Sequence, residues 1–276
     1  MALPVSLSAA CPPSYAARDL TAPALPWLMA PMARKSRSST RKTRKTAPVT
    51  QAAQLPLIWA WRWATRLALG VMAGYLALIV LYTFVNPPTT LTIWSEARRL
   101  GAVDRQWTPI EDIAPVMARS VVAAEDANFC THWGFDMRAI RQAIDEGSGR
   151  GASTLSQLVV KNVFLWQGRS WPRKALEAML TPVVEAVWTK RRILEVYLNV
   201  AEFDEGVFGV DAAAFRYFRT TPGKLTARQA ALLAAVLPDP KDRSAAKPSA
   251  FVSRRAQAIE DGAATIRNDG RAACFE

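Results

Sequence analysis

Cysteine and histidine are scarce, with Cys11, Cys130, Cys274 and His132 the only examples in 276 residues. A scaffold stapled by several disulfides and a multi-ligand zinc site are therefore nearly excluded. No Asp-x-Asp pair occurs, which removes the usual carboxylate clamp for a metal-bound nucleotide sugar. Acidic residues are also missing from one region: residues 1–66 hold the single acid Asp19 against ten Lys and Arg. Residues 67–276 are nearly balanced, so the net charge of +12 belongs mostly to an N-terminal arm. Nucleic acid is accordingly not read as a partner.

The cationic run Arg34–Lys45 lies among Ser and Thr without an apolar period, and predicts a flexible basic arm over residues 1–56. Met32 directly precedes it and is a candidate true start. Residues 67–85 then carry no charge. As a helix these nineteen residues rise about 28 Å, close to the thickness of a bilayer's hydrocarbon core. Trp59, Trp61, Trp63, Arg62 and Arg66 crowd one flank as interfacial anchors do, and Pro87-Pro88 ends the other. A single transmembrane helix with its interfacial flank is predicted over 57–88. The cations before it place the N-terminus in the cytoplasm and the rest beyond the membrane.

From residue 108 the apolar period is close to 3.6, and helix starts are marked. Thr108-Pro109-Ile110-Glu111 and Thr226 to Gln229 read as capping boxes. Asp136, Ser153, Ser170 and Thr189 read as further helix starts. Pro182 should kink or divide its helix. No run alternates as a strand. The fold class expected for 89–276 is mainly α.

Three segments are chemically unusual. In the first, Glu125-Asp126 ends an apolar helix and enters a loop with Phe129, His132 and Gly134. An acid beside apolar surface can have its pKa raised, which suits a general base. In the second, a glycine turn leads into Ser153-Thr154, Gln157, Lys161 and Asn162, and a helix start of this kind suits an anion. In the third, Arg169, Arg173 and Lys174 precede Glu177, and such cations can neutralise a departing phosphate without a metal.

In order and spacing these segments resemble the motifs of the peptidoglycan glycosyltransferases of family 51: Glu-Asp-x-x-Phe-x-x-His-x-Gly, Gly-x-Ser-Thr-x-x-Gln-Gln-x-x-Lys-Asn and Arg-Lys-x-x-Glu. Arg192 to Asn199 and Gly206 to Phe218 resemble two further motifs. Details around Phe164-Leu165-Trp166 and Ala201-Glu202-Phe203, and the absence of length for a transpeptidase domain, look most like the family's monofunctional biosynthetic transglycosylases. One departure is Leu158, where the motif has a second glutamine. It turns toward the apolar arc, so the loss of one polar contact is expected rather than the loss of the site.

The resemblance implies a lysozyme-like helical glycosyltransferase domain that polymerises lipid II into linear glycan by inverting transfer from undecaprenyl diphosphate. By motif position Glu125 is the base and Glu177 the second carboxylate. Asp126, Phe129, His132, Ser153, Thr154, Gln157, Lys161, Asn162, Arg169, Arg173 and Lys174 are the implied substrate-binding residues. No metal ligands are assigned. No cofactor is certain, and a divalent cation (Mg or Mn) stays open. The implied partners are lipid II, the growing glycan chain, membrane lipid and cell-division or cell-wall synthesis proteins. The implied location is the inner membrane, single-pass, with the catalytic domain in the periplasm. A lytic transglycosylase and a catalytically silent membrane scaffold remain as alternatives.

Overall fold

A computed structural model describes residues 54–147 and 153–276. Most of the expected basic arm, the candidate start at Met32 and the Arg150-Gly151 turn lie outside them.

The first helix, α1 (Gln54–Phe84), includes a stretch, Ile58–Phe84, long and apolar enough to cross a membrane. Its far end packs against the rest of the described residues. Ile79 is fully buried and its carbonyl accepts the Trp188 indole N–H at 2.7 Å. The Tyr75 hydroxyl donates to Phe164 O, and the Tyr82 ring stacks on the Phe164 ring. The last carbonyls of a helix lack partners within it, and they attract cations. Here Arg192 fills that role, donating to Tyr82 O and Val85 O while pairing with Glu195 at 2.7 Å.

The remainder is mainly helical: α2 (Leu91–Leu100), α3 (Pro115–Glu125), α4 (Met137–Asp145), α5 (Leu155–Phe164), α6 (Trp171–Val187), α7 (Lys190–Val200), α8 (Gly209–Phe218), α9 (Ala227–Val236) and α10 (Ala250–Asn268). Asp136, Thr154, Thr189 and Thr226 each cap a helix with the side-chain oxygen, satisfying N–H groups that the first turn leaves open. α3, α9 and α10 pack on one another, while α5 lies against α6 and α7. The alanines of α9 and the approach of Gly262 to Ala123 bring these helices close. A Cβ on Gly262 would stand 3.2 Å from that of Ala123.

Three local expectations change. Thr108 does not cap a helix, because Asn199 takes its backbone: Thr108 N donates to Asn199 Oδ1 at 2.7 Å, and Asn199 Nδ2 donates to Thr108 O. Glu111 pairs with Arg191 instead of closing a box, Ile110–Asp112 makes one tight 3-10 turn, and α3 begins at Pro115. Pro182 does not divide α6, since Leu180, Thr181, Val184 and Glu185 are buried on both sides of it and hold the helix through the missing bond. A small sheet also exists, in the order β1-β3-β2: β1 (Asp104–Arg105) runs parallel to β3 (Val207–Phe208), and β2 (Glu202–Asp204) antiparallel to it. Strands of two or three residues are too short to show an alternating pattern.

Cys130 and Cys274 form a disulfide, 144 residues apart in sequence. It ties the loop after α3 to the chain's last residues.

Candidate active site

The site is built where α3 ends and α5 begins. Asp126 closes α3, its N–H donating to Val122 O, and its carboxylate accepts the Leu155 N–H at 3.0 Å and the His132 Nε2 proton at 2.9 Å. This bond fixes the tautomer of His132, with the proton on Nε2. Thr154 and Gln157 complete a reciprocal capping box, and the Thr154 hydroxyl donates to Gly134 O at 2.7 Å. Gly134 has φ +84, and a Cβ there would meet Thr181 Cγ2 at 2.8 Å, so both backbone shape and space require glycine. Phe129 is fully buried, with the Lys190 ammonium 4.4 Å above its ring. Asp126, Phe129, His132, Thr154 and Gln157 thus face the scaffold, where their partners are protein groups.

In front of this wall lies a chamber of about 700 Å³, lined by Glu125, Ser153, Lys161, Arg169, Arg173, Lys174, Glu177 and Arg255. A second, of about 430 Å³, shares Glu125, Leu158, Lys161 and Gln167 with the first and adds Asn162, Tyr197, Glu96, Glu202 and Lys241. Glu125 and Lys161 therefore stand at the junction of the two. The first chamber is rich in cations. The second mixes charges of both signs with neutral polar groups.

Glu177 is buried inside an ion cluster. Arg173 Nη1 donates to it at 2.6 Å, and Lys174 Nζ both pairs with it and donates to Ser153 Oγ at 3.1 Å. Arg173 is fixed in turn through Nε to Gly168 O. Glu125 has no such partners: its Oε1 is buried without a hydrogen bond. Burial pushes its carboxyl above the usual carboxylate range, against the pull of Arg255 and Lys161. Burial likewise lowers the pKa of the Lys161 ammonium, with Glu177 opposing. A carboxyl tuned upward and facing open space is suited to taking a proton.

Glu125, Ser153, Lys161, Asn162, Arg169, Arg173, Lys174 and Glu177 are thus brought to one groove. Leu158 packs against the core and also lines both chambers, so an apolar side chain stands at the wall the two chambers share. Gln167, Glu202, Lys241 and Arg255 join the groove beyond the site residues that the sequence motifs imply. Gln167 donates to Thr92 Oγ1 at 2.8 Å, and Glu202 belongs to the Ala201-Glu202-Phe203 detail noted above. Among the described residues, no cluster of three or more His, Cys, Asp or Glu side chains is arranged to hold a metal ion.

The profile of the transglycosylase family matches residues 94–263. The chain belongs to that family. It is 61% identical over 214 residues to a biosynthetic peptidoglycan transglycosylase of Jannaschia sp. (strain CCS1), covering 78% of this chain and 90% of the relative. A protein of the same description from Pectobacterium atrosepticum is 49% identical, covering 74% and 88%. One from Caulobacter vibrioides is 42% identical, covering 75% and 93%. The match to the transglycosylase family takes in every groove residue named above, from Glu96 to Arg255. The chain is thus a glycosyltransferase by family, and its groove can be read for that chemistry.

Proposed function

We propose that this transglycosylase polymerises lipid II, with Glu125 as the base and the cationic chamber receiving the diphosphate. The carrying observation is that a partnerless, buried carboxyl and a set of cations line one groove. Glu125 takes the proton of the acceptor sugar's hydroxyl, and the freed oxygen bonds to the anomeric carbon of the growing chain. The bond from that carbon to the diphosphate breaks on the opposite face. An α-linked diphosphate becomes a β-1,4 glycosidic bond, and the leaving group keeps the electron pair as undecaprenyl diphosphate. Lys161, Arg169 and Ser153 meet the developing charge, so departure needs no strong acid. A hydrolase releasing an alcohol would need a neutral acid beside its second carboxylate. Glu177 sits instead within an Arg173–Lys174 cluster and orients those cations.

The same reading makes α1 a membrane anchor with its N-terminus cytoplasmic and the groove on the periplasmic face. The cationic flank before the apolar stretch supports this, as does a disulfide between Cys130 and Cys274, which an oxidising compartment sustains. A polyprenyl-linked substrate shares the membrane with such an enzyme, which raises their effective concentration.

Purified full-length protein incubated with lipid II tests the reading. It is expected to yield long glycan, and Glu125→Gln none while remaining folded. Polymer from Glu125→Gln at the wild-type rate would remove the base assignment. Shortening of finished glycan without synthesis would replace polymerisation with the lytic alternative.

A further inference from the structure

We infer that Arg255 is a positioning residue for Glu125, supplying from α10 a positive charge that favours the carboxylate anion and a donor that fixes the end of α3 beneath it. The inference rests on the proposed role of Glu125. Arg255 lies on α10, beyond the stretch that carries the motifs, yet it lines the cationic chamber with Glu125. Its Nη2 donates to the carbonyl of Ala124, the residue before Glu125, at 3.4 Å. Its Nε is buried and has no hydrogen-bond partner. Arg173 and Lys174 spend their charge on Glu177. No ion pair forms at Arg255 among the described residues, so its charge acts on what faces it.

The geometry is held rigidly. The segment after Glu125 is gripped by the end of the chain: Arg271 donates to Ala127 O at 3.0 Å, Cys274 is bonded to Cys130, and the Phe275 ring packs on Phe129. At its middle, α10 touches α3 through Gly262 and Ala123. Arg255 is thus fixed relative to the carboxylate it serves.

The charged and titratable groups acting on Glu125 come from several elements: Arg255 from α10, Lys161 from α5, Arg243 from the segment before α10, Tyr197 from α7 and the adjacent Asp126. Glu177 of α6 shares the chamber but is held by its own cations. Burial pushes the Glu125 carboxyl up, and Arg255 is the leading charge that restrains it. Burial lowers the pKa of the Lys161 ammonium, with Glu177 opposing. Arg255, as a guanidinium, keeps its charge at every pH at which the enzyme would work.

Infrared titration of the full-length protein in detergent, with Glu125→Gln as the reference that removes the band, reads this carboxyl without substrate. Arg255→Gln is expected to move its midpoint up by about one pH unit or more, and Arg255→Lys to keep it near the wild-type position. The acidic limb of the polymerisation rate should move with the midpoint. An unmoved midpoint in folded Arg255→Gln overturns the inference, whatever happens to the rate. If Arg255→Gln fails to fold, Arg255→Lys decides: a midpoint displaced upward as far as expected for the neutral variant overturns it, and a retained one supports it. A wild-type protein that makes no polymer would overturn the function instead, and the titration would still stand.

Discussion

Asp126 accepts the backbone N–H of Leu155 at 3.0 Å, and so joins the end of the helix that presents Glu125 to the start of the helix that presents Lys161. The same carboxylate holds His132. Its position beside Glu125 in the chain could suggest a shared role in proton transfer, but its partners are two protein donors. The geometry gives it the task of setting where Glu125 and Lys161 stand relative to each other.

Replacing Asp126 with Ala leaves both donors buried and unpaired, and should cost about 2–4 kcal/mol of stability. Asp126→Asn keeps one acceptor oxygen and should cost less. Thermal unfolding of the two variants measures the difference. Equal melting temperatures for wild type and Asp126→Ala would show that this junction contributes nothing.

Glu125 should cost stability at neutral pH. Burial raises its folded-state pKa above the ordinary 4.5. A carboxyl shifted this way favours the folded state when protonated. That benefit is complete below the unfolded pKa and is lost as pH rises through the folded one. Glu125→Gln, always neutral, should therefore melt above the wild type at pH 7 and close to it under acid conditions. Each kcal/mol relieved appears as about 2–4 °C. Melting curves across the pH range check the sign, and a variant less stable at pH 7 would contradict it.

The disulfide closes a long loop around most of the catalytic domain. Cys130→Ser or Cys274→Ser should lower unfolding free energy by about 2–5 kcal/mol. Denaturant titration with and without reductant is the measurement, and reductant should leave the serine variants unchanged. The wild type losing nothing on reduction would indicate that the C-terminal grip holds without the bond.

Much of the fold was legible because helix starts are local events. Asp136, Thr189 and Thr226 cap the helices they precede, since each cap needs only its own next three residues, while the helix expected to open at Ser153 is capped one residue later by Thr154. Thr108 had the same local signature, but Asn199, far along the chain, competes for its backbone and wins. The cations of the groove were legible because their motifs keep fixed spacings. Gln157 stands four residues from both Ser153 and Lys161 and so falls on one helix face with them, yet its side chain folds back onto Thr154 N. Helical periodicity places a residue on a face without saying what its side chain bonds. Arg255 carried no signal, because its proximity to Glu125 exists only after α10 has packed on α3. Cys130 and Cys274 were similarly silent, their meeting being a property of the tertiary fold.

The attachment of α1 has a mechanical outcome. Trp188, Phe164 and Arg192 each hold the last turns of α1, so the helix joins the rest of the chain through several bonds and not through the backbone link alone. If α1 spans a bilayer as proposed, whatever tilt the helix adopts the groove adopts as well. The height and heading of the groove over the lipid surface are thus set by α1 and not by a slack leash.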